Sequence, residues 1–307
     1  MITSIFSKSK PINFLIVFFI ALIAFFAAVL RFDETELSAI YIVKLNFVFL
    51  CCYLSILLTD FIVSKNYLSQ KSNYEVLFFS LFLLAMPKVF LDIDIIISNL
   101  LVLLGVRRLL SLRTQKGTIR KLFDASLFIG LASVVYFWSV LFFALVFIAL
   151  FFYSRNKVKQ WFIPFSGLFA VVIIAMAYSA VLYDDLLAAL DSFPQVGLDL
   201  SSYNSIQFIV AMTMLFSFGV WSSVFYLKGI KKKRKSIRPT YKIVFAGCIV
   251  ASVIMVLSPK KDGSEFLFLF SPLAIIITNY AESIKEKWFK EVFILIMVIT
   301  PFVLLLL

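Results

Sequence analysis

The apolar runs constrain this chain more than any other feature. They are roughly as long as a bilayer is thick, and short charged connections separate them. Pro11 to Leu30 carries no charge at all, and a helix needs roughly 20 such residues to cross the hydrocarbon core. A signal peptide begins similarly, but its apolar stretch runs only about 7–15 residues. Comparable runs continue to Leu307. The hydrophobic share is 63%, where soluble domains sit near 45–50%. In lipid every backbone polar group must be satisfied within the protein, so apolar runs of this kind fold as helices. The expected fold is all-α, a polytopic transmembrane bundle forming one integral-membrane domain over residues 1–307. About eleven spans are expected, near 11–30, 40–62, 75–88, 93–106, 122–137, 139–153, 162–182, 204–227, 241–258, 265–281 and 292–307.

Charge placement orients these spans. With the N-terminus inside, 24 of the 29 basic residues fall on the inner side, and 11 of the 17 acids fall outside. Inner loops collect Lys and Arg, so the expected topology is N-terminus inside and C-terminus outside. The run Lys231–Lys235 then reads as an inner topology anchor, and no nucleic-acid partner is expected despite the net charge of +12. Residues 75–106 and 122–154 each lie between inner flanks, yet each is too short for two full spans. They are expected as short helical hairpins that turn near Pro87–Asp94 and Trp138–Ser139. Short helices of this kind need a surrounding bundle or an aqueous cavity. A short interfacial helix is expected on the outer side near 184–193, stopped by Pro194. There is no GxxxG, so close glycine crossings are not expected to dominate packing.

The chain has no His, which removes His-based triads and His-ligated metals. Cys51, Cys52 and Cys248 lie within apolar runs and read as small buried residues. The 37 Phe read as packing and lipid-facing surface. Asp60 and Asp124 are expected near inner helix ends, paired with Lys65 and Lys121. Lys44 is expected to reach towards Glu34 or Glu36. Asn46, Asn99 and Asn279 are polar groups within or near spans.

Three outer clusters carry the candidate chemistry. The first is Arg31, Asp33, Glu34 and Glu36. The second is Asp92-Ile-Asp94. The third is Lys260, Lys261, Asp262 and Glu265. Carboxylates on separate loops supply a general base and hard oxygen ligands for Mg²⁺ or Mn²⁺, and Lys holds phosphate as a point charge. The catalytic candidates are Asp33 and Glu34. Arg31, Lys260 and Lys261 are candidates for binding a substrate phosphate, Asp92 and Asp94 for a metal, and Glu265 for a supporting role.

The opening Met1-Ile-Thr-Ser-Ile-Phe-Ser-Lys-Ser-Lys-Pro-Ile-Asn-Phe resembles an uncharacterised multi-span inner-membrane family of Bacteroidota. So do Arg107-Arg108-Leu-Leu-Ser-Leu-Arg113, Lys121-Leu-Phe-Asp-Ala125 and Ser264-Glu-Phe-Leu-Phe-Leu-Phe-Ser-Pro-Leu273. The resemblance implies a Gram-negative inner (cytoplasmic) membrane and brings no activity with it. A second resemblance, to the GT-C glycosyltransferase superfamily, rests on Asp33/Glu34 after the first span and Asp92/Asp94 in the second outer loop. The stretch from Lys260 to Leu267, with Pro272 downstream, adds to it. The first outer loop is shorter than that superfamily's, and no soluble C-terminal domain is expected. What this likeness implies is transfer of a sugar from a polyprenyl-phosphate donor to a cell-envelope acceptor at the outer leaflet. A transporter or lipid flippase, which needs polar groups at mid-depth, is the alternative. A non-catalytic scaffold or assembly subunit of an envelope complex is the third reading.

Overall fold

The computed structural model describes residues 2–33, 38–70, 72–154, 158–183, 196–197 and 199–306. It is 85% helix, with no strands among the described residues. A single-turn α1 (Ile2–Phe6) precedes α2 (Pro11–Phe32), which opens on Pro11, a residue that fits the first helical position because its missing N–H would have no partner there. Helix α3 (Ala39–Asn66) starts where Ser38 Oγ accepts from Tyr41 N at 3.2 Å. It stops at Tyr67, which adopts φ 58°. Then come α4 (Tyr74–Ala85), a 3₁₀ turn over Pro87–Leu91, and α5 (Ile93–Leu110). Helix α6 (Thr118–Val135) leads through a second 3₁₀ turn, Phe137–Phe142, into α7 (Phe143–Tyr153). The rest are α8 (Ile163–Tyr183), α9 (Ile206–Ile230), α10 (Arg238–Leu257), α11 (Leu267–Ser283) and α12 (Lys287–Leu306).

Helices α2 to α12 occupy the places of the eleven expected spans. Among the described residues, eight helical segments are long and apolar enough to cross a membrane, which makes this a multi-pass membrane protein. Helix α4 and the Phe137–Tyr153 segment are apolar but shorter, and α6 carries Arg120, Lys121 and Asp124 in its first turns. The interfacial helix expected near 184–193 lies outside the described residues.

Helix α2 shows how side-chain size sorts against lipid. Ile12, Leu15, Phe19, Ile23, Phe26 and Leu30 recur every three or four residues and are all exposed. Its opposite face buries Val17, Ala21, Ala24 and Ala28. Large side chains outside and small ones inside is the arrangement lipid permits. Burial in a bilayer gains packing rather than escape from water, so small residues that admit a close neighbour face inward.

That neighbour is α4. All twelve of its residues are buried, as befits a helix that is apolar on every face. It packs against α2, α3, α11 and α12, and Phe79 and Phe82 meet Phe270 of α11 at centroid distances of 5.9 and 5.6 Å. The expected hairpin of short helices thus exists because the bundle encloses it. Helices α5, α6 and α8 form a neighbouring layer in which glycine matters more than the absence of GxxxG implied. A Cβ on Gly105 would lie 2.8 Å from Ile129 Cγ1 and 3.2 Å from Ala125 O; one on Gly167 would lie 2.7 Å from Ser126 Cβ and 3.1 Å from Phe123 O.

The connections gather at two ends. At one, Asp92 meets Lys260, Tyr136 meets Ser258, and Arg31, Lys88, Phe208 and Leu304 share a cavity. At the other, Asn73 N donates to Phe6 O, Tyr241 reaches Tyr67, and Tyr153 bonds Thr240. The second end carries Arg107, Arg113, Lys121 and the Lys231–Lys235 run. We call them the Asp92 end and the basic end.

Candidate functional site

Residues named as candidates from the sequence converge on the Asp92 end, but most are held by their own neighbours. Asp92 caps α5: Oδ1 accepts from Asp94 N and Ile95 N, both at 3.1 Å, which satisfies two of the free N–H groups at a helix start. Its Oδ2 accepts from Lys260 Nζ at 2.8 Å. Asp92 is 8% exposed, whereas the Lys260 side chain is 58% exposed. That carboxylate raises the Lys260 ammonium above its ordinary pKa of 10.5. Lys261 is buried and caps the other polarity of helix end, donating to Met255 O at 2.6 Å and Val256 O at 2.8 Å. Burial pushes its pKa down.

Asp33 accepts from the Tyr41 hydroxyl of α3. Glu34 and Glu36 lie outside the described residues. Glu265 is fully buried; it accepts from the Tyr203 hydroxyl and, at 3.1 Å, from Gly263 N. Asp262 Oδ1 accepts from Ser264 N at 3.0 Å and Ser264 Oγ at 2.5 Å. Asp94 is exposed beside the α5 cap. Among the described residues no group of three His, Cys, Asp or Glu side chains is placed to hold a metal ion. Asp92 of the Asp-x-Asp pattern thus serves locally as a helix cap, to which Asp94 contributes its backbone N–H.

Beside these residues is a cavity of about 200 Å³. Arg31 and Phe32 from the end of α2 form one side. Lys88 on the 3₁₀ turn forms another, with its ammonium 5.0 Å from the Phe32 ring centroid, a cation–π placement. Ser205 and Gln207 at the start of α9 and Asp262 add polar groups. The floor is apolar, from Leu84, Phe208, Leu304 and Leu305. Of the named candidates Arg31 lines this cavity, while Lys260 and Lys261 are absent from its lining. Lys88 escaped selection because its only sequence signal is position: a base beside Pro87 in a tight turn. Gln207 carries no signal at all.

The polar groups near spans found other partners than expected. Asp124 pairs with Arg108 at 3.1 Å, not with Lys121, whose ammonium instead donates to Ser111 O and Thr114 Oγ1, both at 2.7 Å. Asp60 accepts from Asn73 Nδ2 at 2.9 Å, where Lys65 was the expected partner. Glu75 is 1% exposed and its Oε2 has no partner. Lys44 sits 5.8 Å from the Tyr41 ring centroid. Asn46 bonds its own helix at Ile42 O, and Asn279 bonds Leu68 O, both at 2.8 Å. Two cavities between the ends have no charged residue in their linings.

Residues 1–306 match DUF6427, a family of unknown function. The chain belongs to DUF6427. No curated protein and no solved structure matches it. In this DUF6427 chain the cavity at the Asp92 end joins two cations, Arg31 and Lys88, to an apolar floor.

Proposed function

We propose that the chain is a membrane enzyme that transfers a sugar from a polyprenyl-phosphate donor to a cell-envelope acceptor, with its chemistry at the Asp92 end. The observation that carries this reading is the pairing of two cations, Arg31 and Lys88, with an apolar floor in one cavity. A lipid phosphate needs that combination: charge for the headgroup and hydrocarbon for the chain. A cavity of about 200 Å³ is too small for the whole donor. It takes the phosphate and the first isoprene units, and leaves the sugar at the mouth. Asp262 is the carboxylate in the lining and serves as general base, with Asp33 nearby along the chain from Arg31. The acceptor hydroxyl gives its proton to the carboxylate, its oxygen bonds the anomeric carbon, and the sugar–phosphate bond breaks. Arg31 and Lys88 take the charge that develops on the leaving phosphate.

In this reading the Asp92 end faces outwards from the inner membrane of a Gram-negative cell of the Bacteroidota type, as the charge count implies, and the helical arrangement is GT-C-like. A transporter would need polar groups at mid-depth; the two cavities between the ends hold no charged residue, and Asn99 is the one amide that lines either of them. The test is a deletion strain complemented with Arg31→Gln, Lys88→Gln or Asp262→Asn. Each variant should accumulate normally and lose an envelope glycan. Identical glycans in the wild type and the deletion strain would end this reading.

A further inference from the structure

A second concavity, about 560 Å³, opens at the basic end. Lys228, in the last turn of α9, lines it together with Lys232 and Lys233 from the turn that follows. That turn is braced. Lys232 N and Lys233 N donate to Gly229 O and Ile230 O at 3.0 and 3.1 Å, while Arg238 donates to Lys233 O at 2.9 Å and Lys231 O at 2.6 Å. The Lys233 ammonium is 4.9 Å from the Tyr241 ring centroid, and that of Lys228 is 5.8 Å from the Phe225 ring centroid. Both rings also line the concavity.

The far wall is polar and fixed. Gln70, Asn279 and Ser283 contribute to it. Tyr241 donates its hydroxyl to Tyr67 O and Leu68 O at 3.1 and 3.2 Å, and Asn279 Nδ2 donates to Leu68 O at 2.8 Å. No carboxylate is in the lining. Glu282 in the adjoining turn of α11 accepts instead from Gln70 N at 2.7 Å and Ser72 Oγ at 2.5 Å. A topology anchor needs positive charge in sufficient number; it needs neither a concavity nor a braced turn.

We propose that this concavity binds a phosphate group, presented either by an anionic phospholipid at the membrane surface or by a soluble phosphate compound. Three ammonium groups supply the charge, and the Gln70, Asn279 and Ser283 side chains supply neutral polar contacts around it. The site lies at the opposite end of the bundle from the Asp92 cavity, so it stands or fails independently of the enzyme reading.

The test is a lysine-acylation footprint read by mass spectrometry on the full chain in phosphatidylcholine nanodiscs. One arm adds sodium pyrophosphate. The other replaces part of the phosphatidylcholine with phosphatidylglycerol. Acylation of Lys228, Lys232 and Lys233 should slow several-fold in one arm, relieved by salt, while the exposed Lys8 and Lys116 change little. Slowing with phosphatidylglycerol identifies a lipid headgroup; slowing with pyrophosphate identifies a soluble phosphate. The K232Q/K233Q variant should lose the protection at Lys228. Should that variant fail to fold, the wild-type footprint decides alone. Unchanged rates in both arms, or equal slowing at Lys8 and Lys116, overturn the proposal.

Discussion

At Asp92 two demands meet on one carboxylate: one oxygen closes the start of α5 and the other holds Lys260. The two functions differ in worth. A lost N-cap costs about 1–2 kcal/mol, while an ion pair with a largely exposed partner is worth less than about 1 kcal/mol. We expect Asp92→Ala to lower stability in detergent more than Lys260→Ala does, with Asp92→Asn between them because Asn still caps. A chemical or thermal melt in detergent checks this order. The Lys260 pKa is raised in the folded chain, so its contribution is complete below pH 10.5 and fades only as pH rises through the higher folded value. The Lys260→Ala deficit should therefore be flat across neutral pH. Residue roles were only partly legible. Asp92 and Lys260 stood out as charges between apolar runs, but their pairing spans 168 positions. Glu75 looked like the edge of a connection, and only the packing around α4 makes it a buried acid.

Among the elements, α4, the 3₁₀ turns and the α5–α6–α8 layer define the architecture. Both hairpin turns were legible in the sequence: Pro87 cannot continue α4, and the turn at Tyr136–Phe142 falls where an interfacial Trp was expected. What the sequence hid was which face of each helix meets which neighbour. The absence of GxxxG concealed the glycine contacts, because Gly105 and Gly167 sit on different helices and act against α6 from two sides. Gly167→Ala would press a methyl into Ser126 Cβ and into α6 backbone, at 2.7 and 3.1 Å. We expect a loss of about 1–3 kcal/mol, seen as earlier melting or aggregation in size-exclusion chromatography. Gly247→Ala is the contrast. Its Cβ would meet only Leu145 Cδ1, at an ordinary 3.5 Å, within a helix that glycine weakens. We expect a gain of about 0.5–1 kcal/mol.

For the whole molecule, charge asymmetry and geometry describe the same division. The connections that charge counting placed on one side cluster at the Asp92 end, and the basic ones cluster opposite. This much was legible because a count over many loops does not depend on any single contact. The residues around the cavity were harder to see, since Arg31, Lys88, Gln207 and Leu304 come from four distant stretches. Orientation itself is open to direct measurement. Single cysteines placed at 260 and at 232, in a chain whose own three are replaced by serine or alanine, should react differently with a membrane-impermeant maleimide. We expect labelling at 260 in intact cells whose outer membrane is permeable to the reagent, and at 232 only after lysis. The reverse pattern would invert the topology.

The complete enclosure of α4 also sets an order of assembly. A helix of twelve residues is too short to rest across a bilayer unaided, and its sheath includes α11 and α12, which leave the ribosome long after it. During synthesis α4 must therefore wait, shielded by α2 and α3 or by insertion machinery, while the intervening helices arrive. The centre of this protein closes late, and α11 and α12 act as the lid on its folding.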